Sequence, residues 1–241
     1  MKKTTYLLLI GLSLSILMLS SCKSILEQEP RNSTHADAFW QNSQDIRSAL
    51  AGNYALLRAA MSSGNFNNNP RYFMYGDAIA GTYFTIQYVG DGLEGIQTGD
   101  FTFQYNIQSY GNWTDYYKAI AMSNIILNRV PGIPEENLTD VPNATTFKNQ
   151  VLGQAFFLRA LAYFMLVRVW GDVPIVLEEY SDPISAPELA RAPKDDVMRQ
   201  IEDDCHRAAE LLTWSYPSAG EAKVTANRGA VYALLAHLYL W

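Results

Sequence analysis

Aromatic and amide side chains are concentrated in one stretch of this chain, residues 66–117. The stretch holds 14 aromatic residues in 52, about 27%, against 12% for the whole sequence. It contains no lysine, and its amides include Asn67, Gln87, Gln104 and Asn112. A flat ring can cover the C–H face of a sugar at a low cost in rotamer entropy, and amides both donate to and accept from hydroxyl groups. The composition therefore favours a neutral, polyhydroxylated ligand.

Many of these rings must be structural, because buried aromatic side chains dominate protein cores. We expect about two-thirds of them to pack a hairpin onto helices and the others to face solvent. The candidate ligand-binding residues are Tyr72, Tyr75, Asp77, Tyr83, Tyr105, Tyr110 and Asn112.

The same stretch contains a glycine string, Gly90–Gly95, that matches G-x-G-x-x-G. A dinucleotide site needs this string between a strand and the N-terminus of a helix. The residues that follow, 96–107, are typical of loop and strand. We therefore interpret the string as a glycine turn, and no cofactor is expected.

Neither a catalytic site nor a metal site is predicted. Acidic pairs occur four times as direct neighbours, and neighbouring side chains on a helix point in different directions, so none of these pairs is a catalytic dyad. The three histidines form no H-E-x-x-H motif or comparable ligand cluster. No G-x-S-x-G nucleophile motif is present. His237 lies in an apolar helical pattern, so we expect it to be a buried core residue.

Outside this stretch, apolar residues recur at three- and four-residue steps, which predicts a mainly α-helical fold. Helices are expected at 43–61, from Trp113 to about Pro131, at 146–169, from Pro193, and after Thr225 as the N-cap. Gly171 is expected to end the third helix in a left-handed conformation. Small residues seven apart, Ala155 with Ala162 and Gly229 with Ala236, are a weak echo of the helix pairs in tetratricopeptide-type arrays. Residues 66–112 interrupt the pattern as a long irregular, partly β excursion.

Two polar side chains on apolar helix faces call for specific predictions. Arg159 needs a partner if it is buried, so we expect it to be substantially buried and to contact a carboxylate or backbone carbonyls. Cys205 lies on the apolar stripe of its helix, and we expect a buried, inert thiol.

The N-terminus has the features of a bacterial secretory signal. Lys2 and Lys3 precede an apolar run of 14 residues, 6–19, and then Ser20-Ser21-Cys22. Because this arrangement resembles a lipobox, residues 1–21 are predicted to be a lipoprotein signal peptide, Cys22 the lipidated residue, and 22–42 a tether. A plain cleaved signal with a coincidental cysteine is the alternative.

Charge and cysteine content exclude several classes of protein. Without Lys2 and Lys3 the chain has 16 basic and 24 acidic residues and no basic run, so no nucleic-acid partner is predicted. Only Cys22 and Cys205 are present, which excludes a disulfide framework. No other apolar run is expected to be long enough to span a membrane, so membrane attachment is expected through the lipid anchor only.

Five segments of the chain form a distinctive series. One, which we call the signature-like segment, is FFLRALAYFMLVRVWGDVPIV at 156–176. FWQNSQDIRSALAGNYALL at 39–57 and WTDYYKAIAMSNIIL at 113–127 precede it. RAPKDDVMRQIEDDCHRAAELL at 191–212 and TANRGAVYALLAHLYL at 225–240 follow it. In type and order these segments resemble the SusD/RagB family of Bacteroidota. The series lacks a counterpart of the family's C-terminal half, so residues 43–241 are expected to be an incomplete, N-terminal SusD-like region.

The resemblance implies a fold and a function. It implies a tetratricopeptide-like helical-repeat scaffold, anchored by lipid to the outer membrane and facing the cell exterior. Such proteins bind glycans, or in some cases peptides, over a SusC-type TonB-dependent β-barrel transporter and catalyse no reaction. Two alternatives stay open at this point: a helical-repeat scaffold that binds only proteins, and a secreted glycoside hydrolase with two carboxylates across a cleft.

Overall fold

In a computed structural model, the described part of the chain is mainly α-helical. The structure describes residues 39–62, 75–76, 80, 111–180, 187–216, 218 and 220–241. The helices are α1 (Ser43–Ser62), α2 (Thr114–Arg129), α3 (Ala144–Trp170), α4 (Lys194–Leu211), α5 (Glu221–Val224) and α6 (Arg228–Leu240), with 3-10 turns at Val130–Gly132 and Glu135–Asn137. All of them belong to the unit Trp40–Trp241. The fold is mainly helical, as predicted, and most of the predicted 66–112 excursion lies outside the described residues.

The longest helix, α3, lies at the centre of the fold. It contacts α1, α2, α4 and α6. A helix with neighbours on several sides needs apolar residues around its whole circumference, and α3 has them. Its buried residues are Phe147, Val151, Gly153, Gln154, Ala155, Leu158, Arg159, Ala160, Ala162, Tyr163, Phe164, Leu166 and Val167.

By length and composition, α3 is also the one helix in the described ranges that could cross a membrane. Its sequence contains Lys148, Arg159 and Arg168, so it does not read as an uninterrupted apolar run of spanning length. In the structure, 67% of the most apolar window of α3 is buried against other helices. Helix α3 is therefore a core helix whose apolar surface is already covered by protein.

Side chains at the helix ends satisfy backbone groups that the helices leave open. Asn143 Oδ1 accepts a hydrogen bond from Thr146 N, 2.7 Å away, at the start of α3. At its other end, Gly171 has φ 67°, which confirms the predicted positive-φ cap. Asp172 Oδ1 accepts from Lys194 N at 2.8 Å and so caps α4. Each contact satisfies an N–H that has no partner within its helix.

The predicted N-cap of the last helix was wrong. Asn227 caps α6, because its Oδ1 accepts from Ala230 N at 2.9 Å, and Thr225 lies two residues earlier, after the short helix α5. Both residue types are good N-caps, so their types alone did not distinguish the two positions.

The apolar stripe of α4 was predicted correctly. Its residues Val197, Ile201, Cys205 and Ala208 are buried. Cys205 is a free thiol within this core. Burial raises the pKa of the Cys205 thiol to about 12, with a smaller contribution from the nearby Asp204 charge. The predicted burial of Cys205 is confirmed, and a protonated thiol at neutral pH agrees with the expectation of low reactivity.

His237 is not a core residue, contrary to the prediction. It lies on the exposed face of α6, together with Tyr239 and Leu240. The buried face of this helix is formed by Val231, Leu234, Leu235 and Leu238. Because α6 is apolar around its circumference, its composition did not reveal which face is covered.

The two pairs of small residues spaced seven apart differ in the structure. Ala155 and Ala162 are both buried, whereas Ala236 of the second pair is exposed. Among the described residues, only the pair Ala155 and Ala162 therefore lies at a contact between helices.

Buried polar contacts link α1 to later parts of the chain. Asn53 Nδ2 donates to Ser123 Oγ at 2.7 Å. The Tyr54 hydroxyl donates to Gln154 Oε1 and accepts from Ala226 N, both at 2.9 Å. Burial raises the pKa of Tyr54 to about 12, so this hydroxyl keeps its proton and can donate. The first helix is thereby joined to α2, to α3 and to the segment before α6.

Gly153 allows α3 and the end of α4 to approach closely. A Cβ at this position would lie 2.7 Å from Leu212 Cγ, whereas a Cβ at Gly52 in α1 would meet no atom within 4 Å. We expect Gly153→Ala to lower the free energy of unfolding by about 1–2 kcal/mol, because overpacking outweighs the gain in helix propensity. Gly52→Ala is the matched control and should raise it by about 0.5–1 kcal/mol. Urea unfolding followed by circular dichroism measures both, and an equal gain in the two variants would contradict the close contact.

Candidate functional site

A cluster of aromatic rings surrounds Trp170, the last residue of α3. The centroid of the Trp170 ring lies 5.8 Å from that of Tyr75, 6.1 Å from that of Trp113 and 6.0 Å from that of Tyr116. All three contacts are edge-to-face, with interplanar angles of 64–68°. Such T-shaped pairs are a favoured arrangement, because the positive edge of one ring meets the negative face of the other.

Further rings extend the cluster along α2 and α3. Tyr117 lies 6.1 Å from Trp113 and 6.5 Å from Tyr163 between ring centroids. Arg191 Cζ lies 4.7 Å from the centroid of Trp113, within the range of a cation–π contact. We call the six rings the Trp170 cluster: Tyr75, Trp113, Tyr116, Tyr117, Tyr163 and Trp170.

Hydrogen bonds fix the orientation of these rings. Trp170 Nε1 donates to the Gly111 carbonyl at 3.1 Å. The Tyr117 hydroxyl donates to the Pro174 carbonyl at 2.7 Å, and the Tyr163 hydroxyl lies 2.7 Å from Val176 N, from which it accepts. Burial raises the pKa values of Tyr117 and Tyr163, so neither phenol acts as an acid or a base near neutral pH. These contacts hold the rings in place within the packed cluster.

Two of the seven predicted ligand-binding residues lie at this cluster. Tyr75 is half-buried and is itself a member. Asn112 is exposed and directly precedes Trp113, and its Oδ1 accepts from Thr114 N at 2.8 Å. Tyr75 and Gly111 therefore both contact Trp170. Tyr72, Asp77, Tyr83, Tyr105 and Tyr110 lie outside the described residues and stay predictions.

The described rings do not form a coplanar exposed arc. Tyr116 and Tyr163 are fully buried, and the other four rings of the cluster are half-buried. The rim available to a ligand consists of the open parts of Tyr75, Trp113 and Trp170, with Asn112 and Arg191 exposed beside them. Trp170 and Arg191 were not among the predicted residues, although Trp170 lies in the signature-like segment.

One nearly parallel, exposed ring pair occurs elsewhere in the described structure. Trp214 and Tyr232 have ring centroids 5.6 Å apart and an interplanar angle of 19°. Their exposed fractions are 61% and 48%. This pair lies far along the chain from the stretch in which composition predicted ligand-binding rings.

The prediction for Arg159 is confirmed. Its side chain is 4% exposed. Nε and Nη2 donate to the two carboxylate oxygens of Asp204 at 2.8 and 2.6 Å, and Nη1 donates to Asn124 Oδ1 at 2.7 Å. Burial raises the pKa of the Asp204 carboxyl, and the Arg159 guanidinium opposes this rise. The ion pair joins α3 to α4, and Asn124 connects it to α2.

Among the described residues, no group of three or more His, Cys, Asp or Glu side chains could hold a metal ion.

Most of the chain matches the model of one protein family. Residues 26–240 match a SusD-like family model described as "Starch-binding associating with outer membrane". The chain belongs to the SusD-like family. SusD-like proteins are non-catalytic binding proteins, which argues against the glycoside hydrolase alternative.

Relatives in sequence and structure agree with this assignment. A SusD-like protein of Formosa agariphila, P38, is 28% identical over 212 residues, covering 87% of this chain and 37% of its own length. A SusD superfamily protein from Bacteroides thetaiotaomicron superposes with a TM-score of 0.73 at 27% identity, covering 83% of this chain and 44% of its own. A laminarin-binding SusD-like protein has the same fold, with a TM-score of 0.64 at 24% identity over 83% of this chain and 40% of its own.

These matches also define how much of a SusD-like protein is present. The chain spans 37% to 41% of the length of three curated relatives from Formosa agariphila. The helical architecture is the tetratricopeptide-like fold of SusD superfamily structures, as the sequence resemblance implied.

The buried ion pair generates a stability prediction. We expect Arg159→Met to lower the free energy of unfolding by about 3–5 kcal/mol, because Asp204 is left buried without its cation. In the double variant Arg159→Met with Asp204→Leu, the free energy of unfolding should fall by less than half as much as in Arg159→Met, because no unpaired charge is left in the core. Urea unfolding at pH 7 measures this. An additive loss in the double variant would show that the two residues do not act as a pair.

The same variant should respond to pH in a defined direction. Without Arg159, the pKa of the buried Asp204 carboxyl lies further above its unfolded value, so the folded state binds a proton more readily than the unfolded state. Stability is then lost as pH rises towards that folded pKa. The difference in free energy of unfolding between wild type and Arg159→Met should therefore become smaller as the pH is lowered from 7 to 5. A deficit that grows on acidification would contradict the assignment.

Proposed function

We propose that this protein is a surface lipoprotein that binds glycan at the rim of the Trp170 cluster. The supporting observation is that Tyr75, a predicted ligand-binding residue, packs on Trp170, and that Asn112, another one, directly follows Gly111, whose carbonyl accepts from Trp170 Nε1. The half-buried rings offer apolar faces to sugar C–H groups, and the exposed amide and guanidinium beside them offer hydrogen bonds to hydroxyls. The starch-binding description of the family supports the same ligand class.

The proposed domain organisation places this site outside the cytoplasm. Residues 1–21 act as a lipoprotein signal peptide, and acyl groups on Cys22 anchor the mature chain to the outer membrane. Residues 22–42 form a tether, and residues 43–241 form the N-terminal SusD-like region of a longer protein. The outer-membrane association of the family supports this arrangement. In the proposal, the folded part faces the cell exterior.

The proposed role is capture followed by delivery. The bound nutrient passes to a SusC-type TonB-dependent transporter, over which the lipoprotein lies. The family assignment and the net negative charge, without a basic run that could bind nucleic acid, support a role in nutrient capture. A peptide ligand is the competing possibility within the family resemblance, and the binding experiment below includes peptides as a separate arm.

The binding site is tested by Tyr75→Ala in the full chain. Loss of a ring that packs on a sugar should weaken glycan binding by about tenfold, the equivalent of about 1.4 kcal/mol. Isothermal titration calorimetry with maltohexaose, laminarihexaose and a pool of tryptic peptides measures the change. The matched control is Tyr232→Ala, which removes an exposed ring outside the Trp170 cluster.

The outcomes separate the candidate ligands. Glycan binding that falls in Tyr75→Ala and persists in Tyr232→Ala supports the proposal. Binding of the peptides alone would replace glycan by peptide as the ligand class. Glycan binding that is equal in both variants would remove the Trp170 cluster as the site.

Lipidation is tested by exchanging each of the two cysteines. We expect Cys22→Ser to abolish incorporation of an alkyne palmitate analogue in cells, because the acylated sulfur is lost. Cys205→Ala, the matched control, should keep the label, because that thiol is buried in the α4 core. Label that persists in Cys22→Ser would show that the fatty acid is attached elsewhere.

A further inference from the structure

A second cleft lies away from the Trp170 cluster, between α2, α3, α4 and the segment Leu177–Glu179. Its volume is about 520 Å³, within the usual range for small-ligand sites. None of its lining residues belongs to the Trp170 cluster or its rim. The proposed function above assigns nothing to it.

A buried cation with spare donors forms part of this cleft. Arg159 lines it and is 4% exposed. A guanidinium has five N–H groups, and three of those in Arg159 bond to Asp204 and Asn124. The other two have no acceptor among the described residues. Each of the three nitrogens already has one acceptor, so these two N–H groups are additional donors that an oxygen-bearing molecule in the cleft can use.

An aromatic ring lies beside this cation. Phe156 lines the cleft and is half-buried, and its ring centroid lies 5.5 Å from Arg159 Cζ and 5.5 Å from Arg207 Cζ. A half-buried ring next to hydrogen-bonding groups combines an apolar surface with polar contacts. This is the same pairing that suits the two faces of a sugar.

The outer wall of the cleft carries groups of both charges. Asp203 and Arg207 are exposed and line it, and neither forms an ion pair with another described residue. Gln200 Nε2 donates to Asp204 Oδ1 at 3.1 Å, which leaves its carbonyl oxygen as an acceptor. Glu178 adds a further exposed carboxylate. The cleft thus offers both hydrogen-bond donors and hydrogen-bond acceptors. Hydroxyl groups, which both donate and accept, match this mixture better than an anion or a cation does.

We propose that this cleft, defined by Phe156, Arg159, Gln200, Asp203 and Arg207, is a second binding site for a neutral carbohydrate. The choice of ligand class rests on the proposed glycan-binding function, whereas the place rests on the cleft alone. A chain with two sites engages a long glycan at two points, which raises its apparent affinity through effective concentration.

The test is a paired substitution in the cleft wall. Asp203→Ala with Arg207→Ala removes two exposed side chains that support no described hydrogen bond, so the fold should be retained. The matched control, Arg58→Ala with Glu210→Ala, removes one charge of each sign from exposed positions that lie outside the cleft. Calorimetry of the full chain with maltotriose and laminaritriose gives the number of sites. The expected stoichiometry is two sugars per chain in wild type and control and one in the cleft variant.

A second measurement locates the ligand directly. Hydroxyl-radical footprinting should show at least a twofold lower oxidation of Phe156 when the trisaccharide is present. The same protection should be absent in the cleft variant and unchanged in Tyr75→Ala, whose defect lies at the Trp170 cluster.

The outcomes distinguish this proposal from the proposed function. One sugar per chain in wild type, lost in Tyr75→Ala and kept in the cleft variant, would overturn the second site and leave the Trp170 site standing. One sugar that is lost only in the cleft variant would support the cleft and overturn the Trp170 site. Unchanged oxidation of Phe156 at saturating sugar, or no sugar binding at all, would overturn the cleft proposal.

Discussion

Three helices meet at the guanidinium group of Arg159, one of its partners binds a loop, and much of the scaffold depends on this contact. Arg159 comes from α3, Asp204 from α4 and Asn124 from α2. Asn124 Nδ2 in turn donates to the carbonyls of Val176 and Glu178, at 3.0 and 3.1 Å. Breaking a buried ion pair leaves an uncompensated charge in the core, so this contact strongly favours the observed packing of the three helices over one that separates them. This network holds the loop after α3 against α2.

The same loop connects the buried network to the ring cluster. Val176 N donates to the Tyr163 hydroxyl, and the Pro174 carbonyl accepts from Tyr117, so both sides of the loop are attached to rings of the Trp170 cluster. Glu179 forms a bidentate ion pair with Arg129 at the far end of this loop: Arg129 Nη2 donates to Oε1 at 2.7 Å, and Arg129 Nε donates to Oε2 at 3.0 Å. The rings at the candidate site therefore rest on a backbone that is fixed at several points, and a ligand at this site would meet a preorganised surface.

The sequence predicted the helices well because their cause is local. A three- and four-residue apolar repeat is visible in α1, α2, α3 and α4 without any knowledge of their neighbours. It predicted the burial of Arg159 from a physical rule about charges on apolar helices. It could not name Asp204 as the partner, because 45 residues separate the two and several carboxylates were available.

Errors and omissions arose where the answer depends on packing between distant segments. His237 was placed in the core because α6 is apolar all round, and only its neighbours determine which side is covered. The approach of Tyr75 and Gly111 to Trp170 joins parts of the chain 59 residues or more apart and leaves no local signal. The composition of the cleft wall and the angles between the rings of the Trp170 cluster cannot be derived from residue types alone. Both depend on how α2, α3 and α4 pack against one another.

The hydroxyl of Tyr54 has a consequence for how the scaffold folds. It accepts from Ala226 N across 172 residues, so the first helix is bonded to the segment that leads into the last one. In an open helical array each unit touches only its neighbours, and unfolding can start at one end and spread. Here α1 is bonded to a segment 172 residues later, and this contact can form only after distant parts of the chain have met. The described part should therefore melt as one cooperative body, without fraying helix by helix from either end.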